Sequence, residues 1–270
     1  MFRLFRHRVP LVAAGMMVAK LVVPVDGAQA ETAPQSCAVS SDLARFELPL
    51  SHVAQRILAA EPVKIVAIGS SSTAGVGASS RALSYPSRLA VELRIRFPRV
   101  SITVINRGVG GEEAPQMLAR FANDVIAEKP DLVLWQVGTN ALLRGRDVFK
   151  VAETIRKGID RLKVIGADVI LIGPQFAPRL IEKPNTQRMV DLITAAARQQ
   201  KVDLFPRFAV MRYWTEVRHV SFKRLVSPDS LHMSDWSYGC MANLLANAIA
   251  DASVAVPQTV DISAPASAQR

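Results

Sequence analysis

Five short runs of β-forming apolar residues, each closed by small or polar residues, constrain this chain more than any other feature. They occupy 63–68, 100–105, 132–137, 169–172 and 202–205. The run 63–68 is the continuous apolar kind found buried in a parallel sheet covered on both sides. The intervening segments carry apolar residues at helical spacing. Within 112–128, Ala114, Met117, Leu118, Phe121, Val125 and Ile126 share one face. Helices are expected over 42–60, 85–97, 112–128, 148–165, 186–200, 209–219 and 234–252. Pro86 suits a first helical turn, and Gly166 suits the residue just past a helix end. Such alternation gives βαβ units and an α/β fold with a five-stranded parallel sheet. Half of the 270 residues are hydrophobic, enough for one substantial core. With no internal repeat and no second core, a single domain over 31–256 is expected.

The two ends read differently. Arg3, Arg6 and Arg8 precede an apolar run from Val9 to Val25 that Lys20 interrupts, and Ala28-Gln29-Ala30 has the small-x-small pattern of a signal-peptidase site. A signal peptide over 1–30, cut after Ala30, is therefore expected, and with it a periplasmic or secreted protein. The competing reading is a retained anchor. Lys20 and Pro24 break the run short of the ~20 apolar residues a span needs, so no stable membrane insertion is expected after cleavage. Residues 257–270, rich in Ala, Ser, Pro and Gln, read as a flexible tail. The two cysteines, Cys37 and Cys240, read in an exported chain as one disulfide tying the N-terminal arm to the last helix. The alternative is two unrelated buried thiols.

Several function classes fall away. Of 33 Lys and Arg and 23 Asp and Glu, the first 30 residues hold four and one, leaving 29 against 22 and a charge of +7. These basic residues are dispersed, with no aromatic-interleaved patch, so no nucleic-acid partner is expected. Gly75-Val76-Gly77 and Gly108-Val109-Gly110 lack the third glycine of a dinucleotide fingerprint, and no Gly-Lys-Ser/Thr follows either. After residue 30 only His52, His219 and His232 remain, with no His-x-x-x-His and no Cys-x-x-Cys. No cofactor and no metal are expected.

Nucleophilic catalysis remains. The first strand ends abruptly in Gly69-Ser70-Ser71-Ser72-Thr73-Ala74-Gly75, and open α/β folds keep their ligand sites at the carboxyl edge of the sheet. Taken alone, three serines are equally a flexible turn. A reactive hydroxyl needs a base and a group to orient that base. His232 has Asp229 three residues before it, close enough to fold back on the imidazole, although an aspartate there could simply cap the next helix. Asn140 and Gly111, in loops opening at the same edge, could meet a developing oxyanion.

Those residues carry a resemblance to the SGNH, or GDSL, serine hydrolases. The serine loop looks like the family's Gly-Asp-Ser-Leu block, with Ser71 at the nucleophile rather than Ser70 or Ser72. Asn106-Arg107-Gly108-Val109-Gly110-Gly111 is similar to the second block, Gly138-Thr139-Asn140-Ala141 to the third, and Asp229-Ser230-Leu231-His232 to the fifth. The chain departs from the family at Ser70 and Ala141, where aspartates are usual. The resemblance implies a three-layer α/β/α, flavodoxin-like fold. It also implies a Ser71–His232–Asp229 triad and an oxyanion hole from Ser71, Gly111 and Asn140. The activity implied is ester hydrolysis through an acyl-enzyme on Ser71, on a small-molecule or glycan ester such as an acylated glycan or a lipid-like ester. An acyltransferase, or a non-catalytic carbohydrate- or envelope-binding module on the same scaffold, are the alternatives. Loops 175–185 and 221–227 are expected to line the entrance.

Overall fold

The structure, a computed structural model, describes residues 36–254. The expected signal peptide and the expected C-terminal tail lie outside them. Five strands form one parallel sheet: β1 (Val63–Gly69), β2 (Ile102–Gly108), β3 (Leu132–Gln136), β4 (Asp168–Ile172) and β5 (Asp203–Phe205). Their spatial order is β2-β1-β3-β4-β5. The chain thus reverses direction across the sheet between β1 and β3, and at such a switch point the loops diverge and leave a crevice. Register brings the strand ends level. Gly69 pairs with Gly108, Ile68 with Trp135, and Gln136 with Ile172.

Every residue of β3 is buried, as is all of β1 except Lys64, which is why these strands lack a polar alternation. Helices cover both faces. Ser51–Leu58, Tyr85–Arg96, Arg207–Glu216 and Asp235–Val254 pack on one, around Tyr85, Leu89, Trp214 and Met241. Val148–Val164 and Thr186–Gln199 pack on the other, around Trp135, Phe121 and Ile159. The expected three-layer α/β/α sandwich is the fold observed. Among the described residues no helix is long and apolar enough to cross a membrane. Cys37 is disulfide-bonded to Cys240 in the Asp235–Val254 helix, and the Trp214 indole N–H donates to the Cys37 carbonyl at 3.1 Å.

Two expected helices are shorter than their periodicity implies. Only Ser51–Leu58 of 42–60 is α-helical, because Pro49 disfavours helical backbone at the residue before it. The 112–128 segment divides into Ala114–Ala119, Phe121–Asp124 and a 3₁₀ turn, Ile126–Glu128. Its break falls at Arg120, which turns its guanidinium to the carbonyls of Arg107 (2.8 Å) and Gly69 (3.3 Å).

At the amino end of the sheet, three aspartates secure the chain that precedes β1. Asp203 accepts the Glu47 N–H and Asp168 the Val53 N–H, both at 2.9 Å. Asp131 accepts the Lys64 N–H at 2.6 Å and contacts His52 Nε2 at 3.0 Å.

Candidate active site

The serine loop is a tight helical turn, Ser71–Ala74, at the end of β1. Gly75 closes it in a left-handed conformation, φ 96°, with its N–H on the Ser71 carbonyl. A β-carbon there would lie 2.7 Å from Ser84 Cβ, so the position requires glycine on both counts. Gly108, at the end of β2, is pressed so closely beneath the turn that a β-carbon on it would lie 2.1 Å from the Ala74 nitrogen. Asn106 completes the support by donating its amide to the Thr73 carbonyl at 2.7 Å.

The three serines separate by what surrounds them. Ser70 is buried and donates its hydroxyl to Gln136 Oε1 at 2.9 Å, and the same oxygen accepts the Ser70 N–H at 2.9 Å. Ser72 is buried, and among the described residues its hydroxyl has no hydrogen-bond partner. Ser71 Oγ alone meets His232, at 2.7 Å from Nε2. Gln136 thus fixes both polar groups of Ser70, the position where the family carries aspartate. It arrives from β3, and no sequence motif pointed to it.

Val226 and Met233 form an isolated antiparallel bridge, and the loop between them holds both remaining triad candidates. Ser230 takes a positive φ of 58°, which folds the chain so that His232 comes back over Asp229. The two Asp229 oxygens divide the work. Oδ2 holds His232 Nδ1. Oδ1 accepts the N–H groups of Leu231 (3.0 Å) and His232 (2.9 Å) and the Ser227 hydroxyl (2.7 Å). Partial burial would by itself raise this carboxyl. The hydrogen bonds from His232, Ser227 and the two backbone N–H groups overcome that and hold it well below the usual carboxylate range. Asp229 thus caps its own loop, not the following helix, and orients the imidazole as well.

The expected oxyanion donors gather at the same edge. A β-carbon on Gly110 would lie 4.0 Å from Ser71 Cβ, which places the loop after β2 against the serine. Among the described residues, neither the Ser71 nor the Gly111 N–H donates to a protein group. Asn140 stands at the start of the Thr139–Leu143 helix, and its Nδ2 donates to the Glu112 carbonyl at 2.8 Å. That bond fixes the amide plane and leaves a second N–H on the same nitrogen. Arg120 in turn holds the Glu112 carboxylate at 2.8 Å. Ala141, the second departure from the family, is buried and packs in the core.

Beneath the site lies a buried brace that sequence reasoning missed. Gln175 donates to the Leu231 carbonyl at 3.1 Å and accepts from Thr139 Oγ1 at 2.9 Å, so it joins the residue before His232 to the residue before Asn140. Arg207, fully buried, donates Nη2 to Gln175 Oε1 and Nε to the Gly173 carbonyl, both at 2.9 Å. Burial lowers its guanidinium to about 10 and raises Tyr85 nearby to about 12. These residues lie far apart in the chain in no recurrent spacing, so no local pattern could have marked them. Of the loops expected at the entrance, 175–185 touches the 227–232 loop through the Arg179 N–H on the Ser230 carbonyl at 3.2 Å. Phe176 and Phe222 stack on each other with centroids 5.7 Å apart and pack against the core. Among the described residues no three His, Cys, Asp or Glu side chains cluster as a metal site would require.

Comparison with known proteins finds similar chains among esterases. An arylesterase of Vibrio mimicus is 31% identical over 107 residues, 40% of this chain and 53% of that protein. An acetylxylan esterase of Geobacillus stearothermophilus is 38% identical over 107 residues, 36% of this chain and 49% of that one. The chain thus spans about half the length of the curated relatives it matches. A solved two-domain esterase active on acetylated mannans superposes with a TM-score of 0.66 at 20% identity, over 83% of this chain and 59% of that one, a likeness of fold. The model of the non-GDSL lipase-like family matches residues 36–255, nearly everything from the disulfide to the end of the last helix. That description suits a serine loop reading Gly-Ser-Ser-Ser in place of Gly-Asp-Ser-Leu, and the chain belongs to this family of SGNH-type hydrolases.

Proposed function

We propose that this protein is an exported serine esterase that hydrolyses carboxylic esters of small molecules or glycans through an acyl-enzyme on Ser71. The observation that carries the reading is the contact of Ser71 Oγ with His232 Nε2 at 2.7 Å, with Asp229 behind the imidazole. In the reaction, Ser71 Oγ attacks the ester carbonyl as His232 Nε2 takes its proton. Asp229, anionic throughout, keeps the Nδ1 proton in place and stabilises the imidazolium. The Ser71 and Gly111 N–H groups and the remaining Asn140 N–H receive the oxyanion. His232 then returns its proton to the departing alcohol, and water activated by the same imidazole releases the acyl group. The alignment of Ser71, His232 and Asp229 argues against a purely binding role. Export is supported by the Cys37–Cys240 disulfide, a bond that persists in oxidising compartments.

Ser71→Ala should abolish turnover of 4-nitrophenyl acetate with the fold intact by circular dichroism. Turnover equal to that of the unmodified enzyme would overturn the proposal. Purified exported protein should begin after Ala30; a mass that retains residues 1–30 would refute the processing and the single 31–256 domain it defines.

A further inference from the structure

Just beyond the oxyanion loop the surface changes character. A cleft of about 380 Å³ opens between the Thr139–Leu143 helix and the 183–185 turn, and its walls, apolar at Leu142, Leu143 and Pro184, also carry Arg144, Arg146 and Lys183. One carboxylate pairs with two of these three cations, Arg144 and Arg146. Glu113, its side chain only 8% exposed, accepts Arg144 Nη1 at 2.8 Å and Arg146 Nε at 3.1 Å. Asp147, next along, turns instead to the N–H groups of Phe149 and Lys150. Sharing Glu113 leaves a net positive cleft and holds the Arg144 guanidinium in one orientation. Arg144 Nη2 has no protein acceptor among the described residues. It lies 3.7 Å from where a β-carbon on Gly111 would stand, directly beside the oxyanion loop.

A guanidinium that is oriented by a buried carboxylate yet keeps a free pair of N–H groups is prepared for a bidentate anion. Its distance from the loop allows an anion borne by the substrate itself, a few bonds from the reacting carbonyl. We propose that Arg144, with Arg146 and Lys183, forms a subsite for a carboxylate or phosphate on the ester substrate. The preferred substrates are then anionic esters, either acylated acidic sugars or phosphate-bearing acyl esters. This inference rests on the esterase reading and assigns its substrate class.

Matched pairs of esters test it at low ionic strength, where the field of partly exposed cations is least screened. The pairs are 4-nitrophenyl acetate against 4-nitrophenyl hemisuccinate, acetylated xylo-oligosaccharide against acetylated glucuronic-acid oligosaccharide, and monoacylglycerol against its phosphate. In at least one pair kcat/KM should favour the anion by about 10–100-fold, the range of a hydrogen bond to a charged group. Arg144→Gln should remove most of that ratio, Arg144→Lys should restore part of it, and Lys183→Gln should weaken it by a smaller factor. The pair that responds tells carboxylate from phosphate. Equal rates within every pair, or a ratio unchanged in Arg144→Gln, would overturn the subsite while leaving the esterase standing. Absence of any Ser71-dependent turnover would instead sink the esterase reading. Calorimetry with glucuronate and with glycerol 2-phosphate then decides the subsite alone: binding weakened about tenfold in Arg144→Gln supports it, and failure of the unmodified protein to bind either anion refutes it.

Discussion

His52 and His232 each hold an aspartate through one ring nitrogen, at opposite ends of the same sheet. At the amino end, His52 Nε2 meets Asp131, whose other oxygen accepts the Lys64 N–H and which also draws Arg56 to 3.4 Å. Among the described residues no serine or cysteine partners that imidazole, so the pair fastens the N-terminal arm to β1. At the carboxyl end, Asp229 is saturated by its own loop and leaves His232 with one nitrogen for Ser71. The same two residue types thus build a clamp where the strands begin and, in the proposed mechanism, a proton relay where they end. Their difference lies in the third group. Strands that start beneath packed helices need anchors, whereas loops diverging at a switch point leave room for substrate.

Substitution should separate the two pairs cleanly. His232→Ala should lower kcat by on the order of 10⁴-fold or more, while His52→Ala should leave kcat within about twofold and lower only the melting temperature. Comparable kinetic losses in both would erase the distinction. Asp229→Asn should reduce kcat by about 10²–10⁴-fold through the wrong imidazole tautomer, with modest loss of stability. Asp131→Ala should show the converse, a loss of about 1–3 kcal/mol from the stranded Lys64 N–H with the activity of the folded enzyme retained, read by urea denaturation beside single-temperature kinetics.

Reducing the Cys37–Cys240 bond should cost about 2–4 kcal/mol of stability, since it closes a loop of 203 residues. Catalysis by the fraction still folded should persist, because the bond lies on the helix after His232 and touches no triad atom.

The smallest effect concerns pH, and its sign differs between the two ends. Asp229, held low, contributes stability above the usual carboxylate range that is lost as pH falls below it. Asp168 is raised, chiefly by burial, despite the Val53 N–H that it accepts. It therefore binds its proton more tightly folded than unfolded, and stability falls as pH climbs through the window above its unfolded value. Asp168→Asn abolishes that fall. The melting temperature of the variant relative to the parent should be higher at pH 7 than at pH 3.5, and a difference of the opposite sign would show that Asp168 acts through its charge.

Much of this molecule is legible in the linear chain. Predominantly apolar strands point to a parallel sheet covered on both sides, and loops of Gly, Ser and Asn mark its carboxyl edge. Asp229 and His232 lie three residues apart, so their pairing is a local matter that the 227–232 loop settles by itself. Lengths of helices are less legible, because Arg120 gives up helical backbone for contacts with strands that neighbour it only in space. The choice of Ser71 over Ser70 by chemistry alone is not legible either. It depends on Gln136 arriving from β3 to take the Ser70 hydroxyl and on His232 arriving from 161 residues away.

The sequence by itself determined the layers, the sheet and the types of residue available for nucleophile, base and oxyanion donors, because periodicity and loop chemistry are short-range properties. Tertiary structure alone decided which hydroxyl meets the base, how Gln175 and Arg207 brace the site from below, and that Arg144 stands beside Gly111. Each depends on groups from separate loops converging at one sheet edge, and strand order and register, not distance along the chain, set that convergence.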